Sequence, residues 1–587
     1  MVVPDARGAS AARRFLPLRR RPEVPIAAVG VAWMYWLAVS SGQWFFADEW
    51  DFIATRARPP LSQPGAVADM LLTPHNEHWS TLPILVYRAV FGVVGLRAYW
   101  PYLIVLYVFH LTVVALLVRL LRRSGVPVVM RCFAVAIFVV YGAGAENLLW
   151  AFQFAWMGAC IAGLLLAEIV DVAPGSLTRS RLMLAWLVGI AGLMCAGVGV
   201  SMVAAGVVVA LLRHGWRRAV LVGAIPAVVQ VAWTIAYGRN AQPVETRWTS
   251  VAHKAAGYSW RAITSTFDRT LGLPGLGVLV VVVLLMFVAR EAGTIRHTHA
   301  SVLGLAAAAL PFLGLVAIGR VEVDNPNASR YSYVLFVLLA PLTFVAMDRT
   351  FGGGNRVGGE LSRVGRLGAS EWQWLAMVAG ILAVITSVGT LSDAAALEGR
   401  TEKVTKRSIV AAFAVANSSF AAPEAIPDPQ SVDLTITGLR ALLVQGNVPS
   451  GTPDPQSLTA VLAQSSVDVT PEPRVPLDGR GITIASLGRV SAKPVESGCL
   501  GFFPQGPSPQ VSLLPRQPAS VKVVPLVEGT LLITVRRDGR SATARPIPVS
   551  ANNPVFVNMA DPRNEYVLTF PDGGQTKACG MGQRLPG

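Results

Sequence analysis

Three carboxylates stand within four residues in the run WFFADEWDF, namely Asp48, Glu49 and Asp51, directly after an apolar stretch. Like charges so close repel one another, and desolvating them beside an apolar helix is costly, so their presence calls for a reason. A carboxylate there can accept the proton of an attacking hydroxyl or coordinate a divalent cation. The bland alternative is a solvated loop that happens to be acidic. Further on, TPHNEHWSTLP sets His75, Asn76, Glu77 and His78 ahead of Trp79. Two imidazoles flanking a carboxylate can bind a metal, pair with a phosphate or cap the helix that follows. The spacing is not the HExxH of a zinc-protease helix.

Two more clusters have this character. GAGAENLLWAFQ places Glu146 and Asn147 at the mouth of two apolar runs, with Gln153 in the second and Trp150 and Trp156 close by. Carboxylate, amides and indoles at a membrane boundary suit hydroxyl recognition and stacking on a sugar face, or else an interfacial anchor with a helix cap. GRVEVDNPNASRYSY carries Arg320, Glu322, Asp324, Arg330 and Tyr331. The Arg330 guanidinium opens an apolar run, where its fork could hold the phosphate of a lipid carrier; arginines also snorkel at span ends. Between residues 238 and 271, Arg239, His253, Lys254, Arg261 and Arg269 stand among Trp248, Tyr258 and Trp260, which suits a face on lipid headgroups.

The elements that must position these groups are membrane spans. Hydrophobic residues make up 53% of the 587 and charged ones 14%, and the mean hydropathy is +0.51. The apolar excess falls in runs long enough to cross about 30 Å of hydrocarbon as helices. Eleven are expected, near 24–43, 99–121, 127–145, 150–171, 182–197, 199–213, 217–237, 272–290, 300–319, 330–349 and 372–392. Gly197 and Gly199 are the only break between the fifth and sixth. The first run follows Arg13, Arg14, Arg19, Arg20 and Arg21 and is read as an uncleaved span.

Placing the N-terminus in the cytoplasm puts 21 basic residues in the N-terminal arm and the short inside loops, and none in the turns around Glu146 and Val198. This orientation leaves 44–98 and 238–271 as long outside loops and exports the C-terminus. Residues 81–96 are apolar but short and interrupted by Arg88, which suits a helix lying on the membrane surface. The formal charge of +16 might suggest nucleic acid, yet residues 393–587 carry 18 Lys and Arg against 16 Asp and Glu. The excess therefore belongs to the membrane part, which argues against a nucleic-acid partner.

After Thr390 the composition shifts to Pro, Ser, Thr, Val and Asp. Residues 393–420 can continue as helix. Beyond them, SVDLTITGL, VKVVPLV, TLLITVRR and EYVLTF alternate and are split by Pro and Gly, as in a β-sandwich. Of five cysteines, Cys132, Cys160 and Cys195 lie in apolar runs. If the tail is exported, a disulfide between Cys499 and Cys579, 80 residues apart, is chemically reasonable, though spacing does not establish it.

The acidic pair Asp48-Glu49 after the first span resembles the motif of the GT-C class of membrane glycosyltransferases. The resemblance covers residues 24–392 in architecture, and its specificity lies in the pair's position. It implies an all-α polytopic membrane domain of about 11 helices, preceded by a basic arm (1–23) and followed by a β-rich exported domain (393–587). It also implies an enzyme of the plasma (inner) membrane that moves a hexosyl or pentosyl group from a polyprenyl-phosphate sugar to a glycan, lipid or protein outside. Asp48 or Glu49 would be the catalytic base. Asp51, His75, Asn76, Glu77, His78, Glu146, Asn147, Gln153, Arg320, Arg330 and Tyr331 would bind substrate. No cofactor is certain, and a divalent cation is possible. The architecture is similar to the arabinosyltransferase branch, in which such a tail could bind a carbohydrate acceptor. Two other readings remain: a transporter or flippase for a lipid-linked sugar, which needs ionisable groups at mid-membrane depth, and an assembly scaffold, which leaves the acidic and histidine clusters without a task.

Overall fold

The computed structural model describes residues 23–56, 61–240, 248–321, 325–351, 369–418, 421–428, 430–477, 481–537, 540–543, 547–572 and 574–581. The N-terminal arginines, Glu322, Asp324, Arg356, Arg363 and Arg366 lie outside them. The chain divides into two compact units. One comprises Met1–Gln43, Leu71–Pro83 and Tyr102–Gly399; the other comprises Trp44–Met70, Ile84–Pro101 and Arg400–Gly587.

The helices are α1 (Glu23–Val39), α2 (Pro64–Leu72), α3 (Thr81–Val94), α4 (Trp100–Arg123), α5 (Val128–Val139), α6 (Glu146–Leu149) and α7 (Phe154–Val170). There follow α8 (Arg179–Leu193), α9 (Val198–His214), α10 (Trp216–Ala236), α11 (Trp248–Leu271), α12 (Leu276–Thr298), α13 (Ala300–Arg320), α14 (Ser329–Phe351) and α15 (Ala369–Val415). Every apolar run of the sequence carries a helix. Six of the described helices are long and apolar enough to cross a membrane, or seven if the pair 253–271 and 276–291, bent by 114°, makes one span. The expected eleven are thus not all matched, because α1, α5, α8 and α9 have 17, 12, 15 and 17 residues. Most of 238–271, read above as a loop, is the helix α11.

In the first unit α9 packs against α7, α8, α10 and α13, and small residues permit the approach. A Cβ on Gly304 of α13 would stand 2.8 Å from the Ala205 carbonyl oxygen of α9. Ion pairs then fix which helix ends share a side. Glu168 of α7 meets Arg119 (2.5 Å) and Arg123 (2.7 Å) of α4. Asp171 meets Arg213 in the last turn of α9 (2.5 Å) and accepts from the Ser301 hydroxyl of α13 (2.6 Å). Arg349, near the end of α14, approaches His299 (3.1 Å) and Glu291 (3.6 Å). This side collects arginines. The opposite ends of α7, α13 and α14 carry Trp156, Arg320 and Arg330.

In the second unit, α16 (Ile436–Val444) and α17 (Pro455–Ser465) precede twelve strands: β1 (Val467–Thr470), β2 (Ile482–Gly488), β3 (Val490–Glu496), β4 (Cys499–Pro504), β5 (Gln510–Pro515) and β6 (Ala519–Pro525), then β7 (Gly529–Arg537), β8 (Arg540–Thr543), β9 (Ile547–Val549), β10 (Val555–Met559), β11 (Glu565–Thr569) and β12 (Thr576–Cys579). One sheet runs β1-β10-β6-β12-β4-β3 and the other β2-β5-β11-β7-β8, with β9 pairing β7. Period-two alternation buries Val521 and Val523 of β6, and Leu531, Ile533 and Val535 of β7, in a common core with Leu513, Tyr566 and Leu568. Cys499 and Cys579 stand opposite each other on β4 and β12 and are bonded. One run departs from its strand reading: SVDLTITGL is a turn leading into α16. The Thr435 hydroxyl caps that helix by accepting from Gly438 N (3.2 Å), and Ile436, Leu439 and Leu442 bury one helical face.

The connection from β10 to β11, which passes from one sheet to the other, holds a buried charge. Asp561 is 1% exposed and accepts from Arg563 Nε (3.0 Å) and Nη2 (2.9 Å) and from Arg537 Nη1 (2.9 Å). Burial raises its pKa, but the hydrogen bonds from Arg563 and the charges of Arg563 and Arg537 outweigh burial, so the folded value lies below the ordinary 3.8. A group depressed on folding stabilises fully above its unfolded pKa and loses that contribution as pH falls through the folded one. Acidifying the protein below the ordinary carboxylate range is therefore expected to raise amide exchange in β10 and β11, and Asp561→Asn to remove part of that acid sensitivity. Equal acid sensitivity in both proteins would contradict this role.

Candidate active site

The acidic run folds as a tight turn in the second unit. Ala47 takes a left-handed φ of 44°, which a non-glycine residue adopts only when its surroundings enforce it. Glu49 N then reaches Phe46 O (3.2 Å) and Trp50 N reaches Ala47 O (3.2 Å). Glu49 supplies much of that enforcement. It is fully buried, and its Oε1 accepts from the Tyr87 (2.5 Å) and Tyr99 (2.8 Å) hydroxyls while Oε2 accepts from Phe46 N (2.7 Å). Upstream, Trp44 N donates to the buried Glu402 of α15, and Lys406 lies over the Trp44 ring at 5.8 Å. Asp51 pairs with Arg56 Nε at 2.8 Å. Asp48 is half-buried, so the two members of the pair differ: Glu49 is fully buried and holds the turn, and Asp48 is not.

The remaining clusters belong to the first unit, and several meet at the ends of α7, α13 and α14. His75 and His78 exchange two backbone hydrogen bonds of 2.9 Å, with Asn76 at φ 51° in the turn between them, a conformation asparagine tolerates. Trp79 fixes this turn by stacking on Trp233 of α10, with centroids 5.3 Å apart. Glu77 then receives Arg320 Nη2 at 2.8 Å, and His78 approaches Glu77 at 4.0 Å. A Cβ on Gly197, between α8 and α9, would lie 3.0 Å from His78 Nδ1, so glycine there leaves room for the ring. Arg330 faces Glu146 at 3.7 Å and lies over the Tyr331 ring at 5.5 Å. Tyr331 stacks at 6.2 Å on Trp156, whose edge meets His78 (6.5 Å). Carboxylates, guanidinium groups and a stacked aromatic surface therefore come together from four separate stretches of sequence.

Asn147 and Gln153 are buried and bonded to each other (3.4 Å) inside the turn between α5 and α7. Asn147 Oδ1 and Glu146 Oε2 are buried without a hydrogen-bond partner. Three participants went unread in the sequence. Tyr87 lay in the apolar run 81–96, Tyr99 opened the expected span 99–121, and Glu398 fell in the stretch 393–420 expected to continue as helix. Glu398 stands near enough to Glu146 for the two charges to interact. The seating of 142–144 on α15, where a Cβ on Gly142 would meet Thr390 Cβ at 2.8 Å, brings the two segments together. Among the described residues, no three His, Cys, Asp or Glu side chains gather as a metal-binding set.

Replacing Glu49 by leucine would strand two phenols and one amide without their acceptor, at about 1–3 kcal/mol for each buried group left unpaired. Glu49→Leu is therefore expected to lower the melting temperature of the detergent-solubilised protein well beyond Tyr87→Phe, which removes one donor only. A melting curve like that of the parent would show that the carboxylate does not hold the turn.

No family model matches the chain, and no curated protein matches it in sequence. Among solved structures it is similar to the single-particle cryo-EM structure of arabinosyltransferase EmbB from Mycobacterium smegmatis, at 13% identity and a TM-score of 0.29. The match covers 95% of this chain and 65% of that one, so this chain spans about two thirds of that protein's length.

Proposed function

We propose that the protein is a membrane glycosyltransferase that moves a hexosyl or pentosyl group from a polyprenyl-phosphate donor to a glycan, lipid or protein acceptor outside the cytoplasmic membrane. The observation that carries this reading is the assembly of Glu77–Arg320, Glu146–Arg330 and the Trp156–Tyr331 stack at one side of the helical unit, opposite the side that collects arginines. By the positive-inside rule the arginine side faces the cytoplasm and the assembled side faces out, with the strand-rich tail. About eleven crossings, with the shorter helices included, fit this orientation.

In the reaction, an acceptor hydroxyl oxygen attacks the anomeric carbon, the bond from that carbon to the phosphate oxygen breaks, and the hydroxyl proton leaves to a base. Asp48 is assigned as the base, with Glu49 holding its turn. The leaving phosphate carries the developing negative charge, and Arg330 is assigned to it because a planar guanidinium can donate to two phosphate oxygens at once. The stacked Trp156 and Tyr331 offer a face for a sugar ring, and Glu77, Glu146, Asn76 and His78 offer groups for its hydroxyls, while the buried His75 holds the turn that carries Asn76 and Glu77. Asn147 and Gln153, being buried, support the turn beneath Glu146.

The transporter reading gains from one observation. His110 lies ten residues into α4, about 15 Å along its axis, fully buried, with Nδ1 2.9 Å from the Tyr333 hydroxyl. A titratable group at that depth is what a proton-coupled carrier would use.

Assayed in proteoliposomes with a labelled polyprenyl-phosphate sugar, Arg330→Ala and Asp48→Asn are each expected to lower turnover by about 10²-fold or more, the usual cost of losing an electrostatic or general-base partner. His110→Phe should retain transfer. Unchanged turnover in both site variants would remove the assigned roles. Transfer from soluble nucleotide sugars would remove the donor class, and movement of a lipid-linked sugar that needs His110, without transfer, would favour the carrier.

A further inference from the structure

Helix α3 is apolar on two faces, whereas a surface helix of a soluble protein shows water a polar one. Ile84, Tyr87 and Phe91 are buried on one side, while Leu85 (46% exposed), Ala89, Gly92 and Val93 (83%) lie open at helical spacing on the other. Helix α16 repeats the pattern within the same unit. Its Ile436, Leu439 and Leu442 are buried, and its C-terminal tip leaves Val444 90% exposed and Val448 after it 43% exposed. The two open patches adjoin. Gly95 packs against Asn447 so closely that a Cβ there would stand 2.5 Å from the amide oxygen, and the Ser450 hydroxyl donates to Arg97 O (3.4 Å).

What covers this surface follows from where the chain goes next. Trp100 is 56% exposed, stands three residues after the exposed Arg97, and opens α4, a 24-residue apolar span. Exposed tryptophans and arginines at a span end mark the headgroup layer. The open valines therefore stand beside the point at which the backbone enters hydrocarbon, with a cation at phosphate height. We propose that α3 and the α16 tip form one membrane-contact face. On it Leu85, Val93, Val444 and Val448 enter the boundary between headgroups and acyl chains of the leaflet from which α4 starts. The tail is then attached to the bilayer by its own surface as well as by α15. An amphipathic face of this kind binds through buried apolar area, supplemented by attraction between cations and lipid phosphate.

The test uses the full-length protein in lipid nanodiscs. In a Cys132→Ser background, Val93→Cys, Val444→Cys and Val448→Cys are labelled one at a time with a bimane fluorophore, with Gln517→Cys on an exposed bend of the strand-rich part as reference. Lipids carrying a nitroxide high on the acyl chain should quench the labels at 93, 444 and 448 several-fold more than the label at 517. Quenching at 444 and 448 no greater than at 517 would overturn the proposal. So would labels at those sites that are shielded from aqueous iodide yet untouched by the nitroxide lipid, since a protein partner or a second copy would then cover the face. The two positions on α16 guard against a local disturbance at either one. The readout is independent of catalysis, so a loss of the enzyme reading leaves it intact.

Discussion

Taking a charge out of water costs several kcal/mol unless a partner and hydrogen bonds come with it, and that cost arranges this molecule. Among the described residues of the helical unit, Glu168, Asp171, Arg320, Arg330 and Arg349 stand at or near the ends of long helices, while the buried His110 within α4 is bonded to the Tyr333 hydroxyl. Glu168 and Asp171, acidic residues next to apolar helices, are neutralised by Arg119, Arg123 and Arg213, and these pairs tie α4, α7, α9 and α13 together on one side. On the other side the same helices end in pairs that stay partly exposed, with Arg320, Glu77, Arg330 and Glu146 between 31% and 34% open. The carboxylates of the first set, Glu168 and Asp171, are 19% and 11% exposed, whereas those of the second are about one third exposed.

The acidic turn shows the same cost acting within a few residues. Adjacent carboxylates cannot both be buried and charged without donors, and the fold resolves this by giving the buried Glu49 two phenols and an amide while Asp48 stays half-buried. The left-handed Ala47 belongs to the same turn. A pair that looks symmetric in the sequence is therefore not symmetric in its burial.

How much of this was legible depended on the range of the interaction. Apolar runs and the alternation of β6, β7 and β11 report local periodicity, so helices appear at every apolar run and strands at three of the four expected runs. SVDLTITGL failed because Thr435 is an N-cap, and one capping hydroxyl outweighs a short β-branched alternation. Span lengths were overestimated where a helix stopped before hydropathy changed, as at Val139, ahead of the turn Gly142–Gly144, and at Leu193, ahead of the start of α9. The loop clusters were visible as residue types, but their pairing was not: nothing in the spelling links Glu77 to Arg320 or Glu49 to Tyr99, because such contacts are set by helix direction across the bundle. Glu398 was missed for the same reason.

The 47-residue α15 has a consequence for how the chain can be divided. At 1.5 Å per residue it is about 70 Å long, roughly twice the thickness of the hydrocarbon layer. The change of composition near residue 392 falls inside this rod, and ten residues beyond it Glu402 receives the Trp44 amide. Severing the polypeptide at the compositional break would cut a continuous helix in mid-course and strand that amide at the head of the acidic turn. The boundary written in the amino-acid usage thus lies inside a helix, a few residues before the chain passes from the first unit to the second at Gly399 and Arg400.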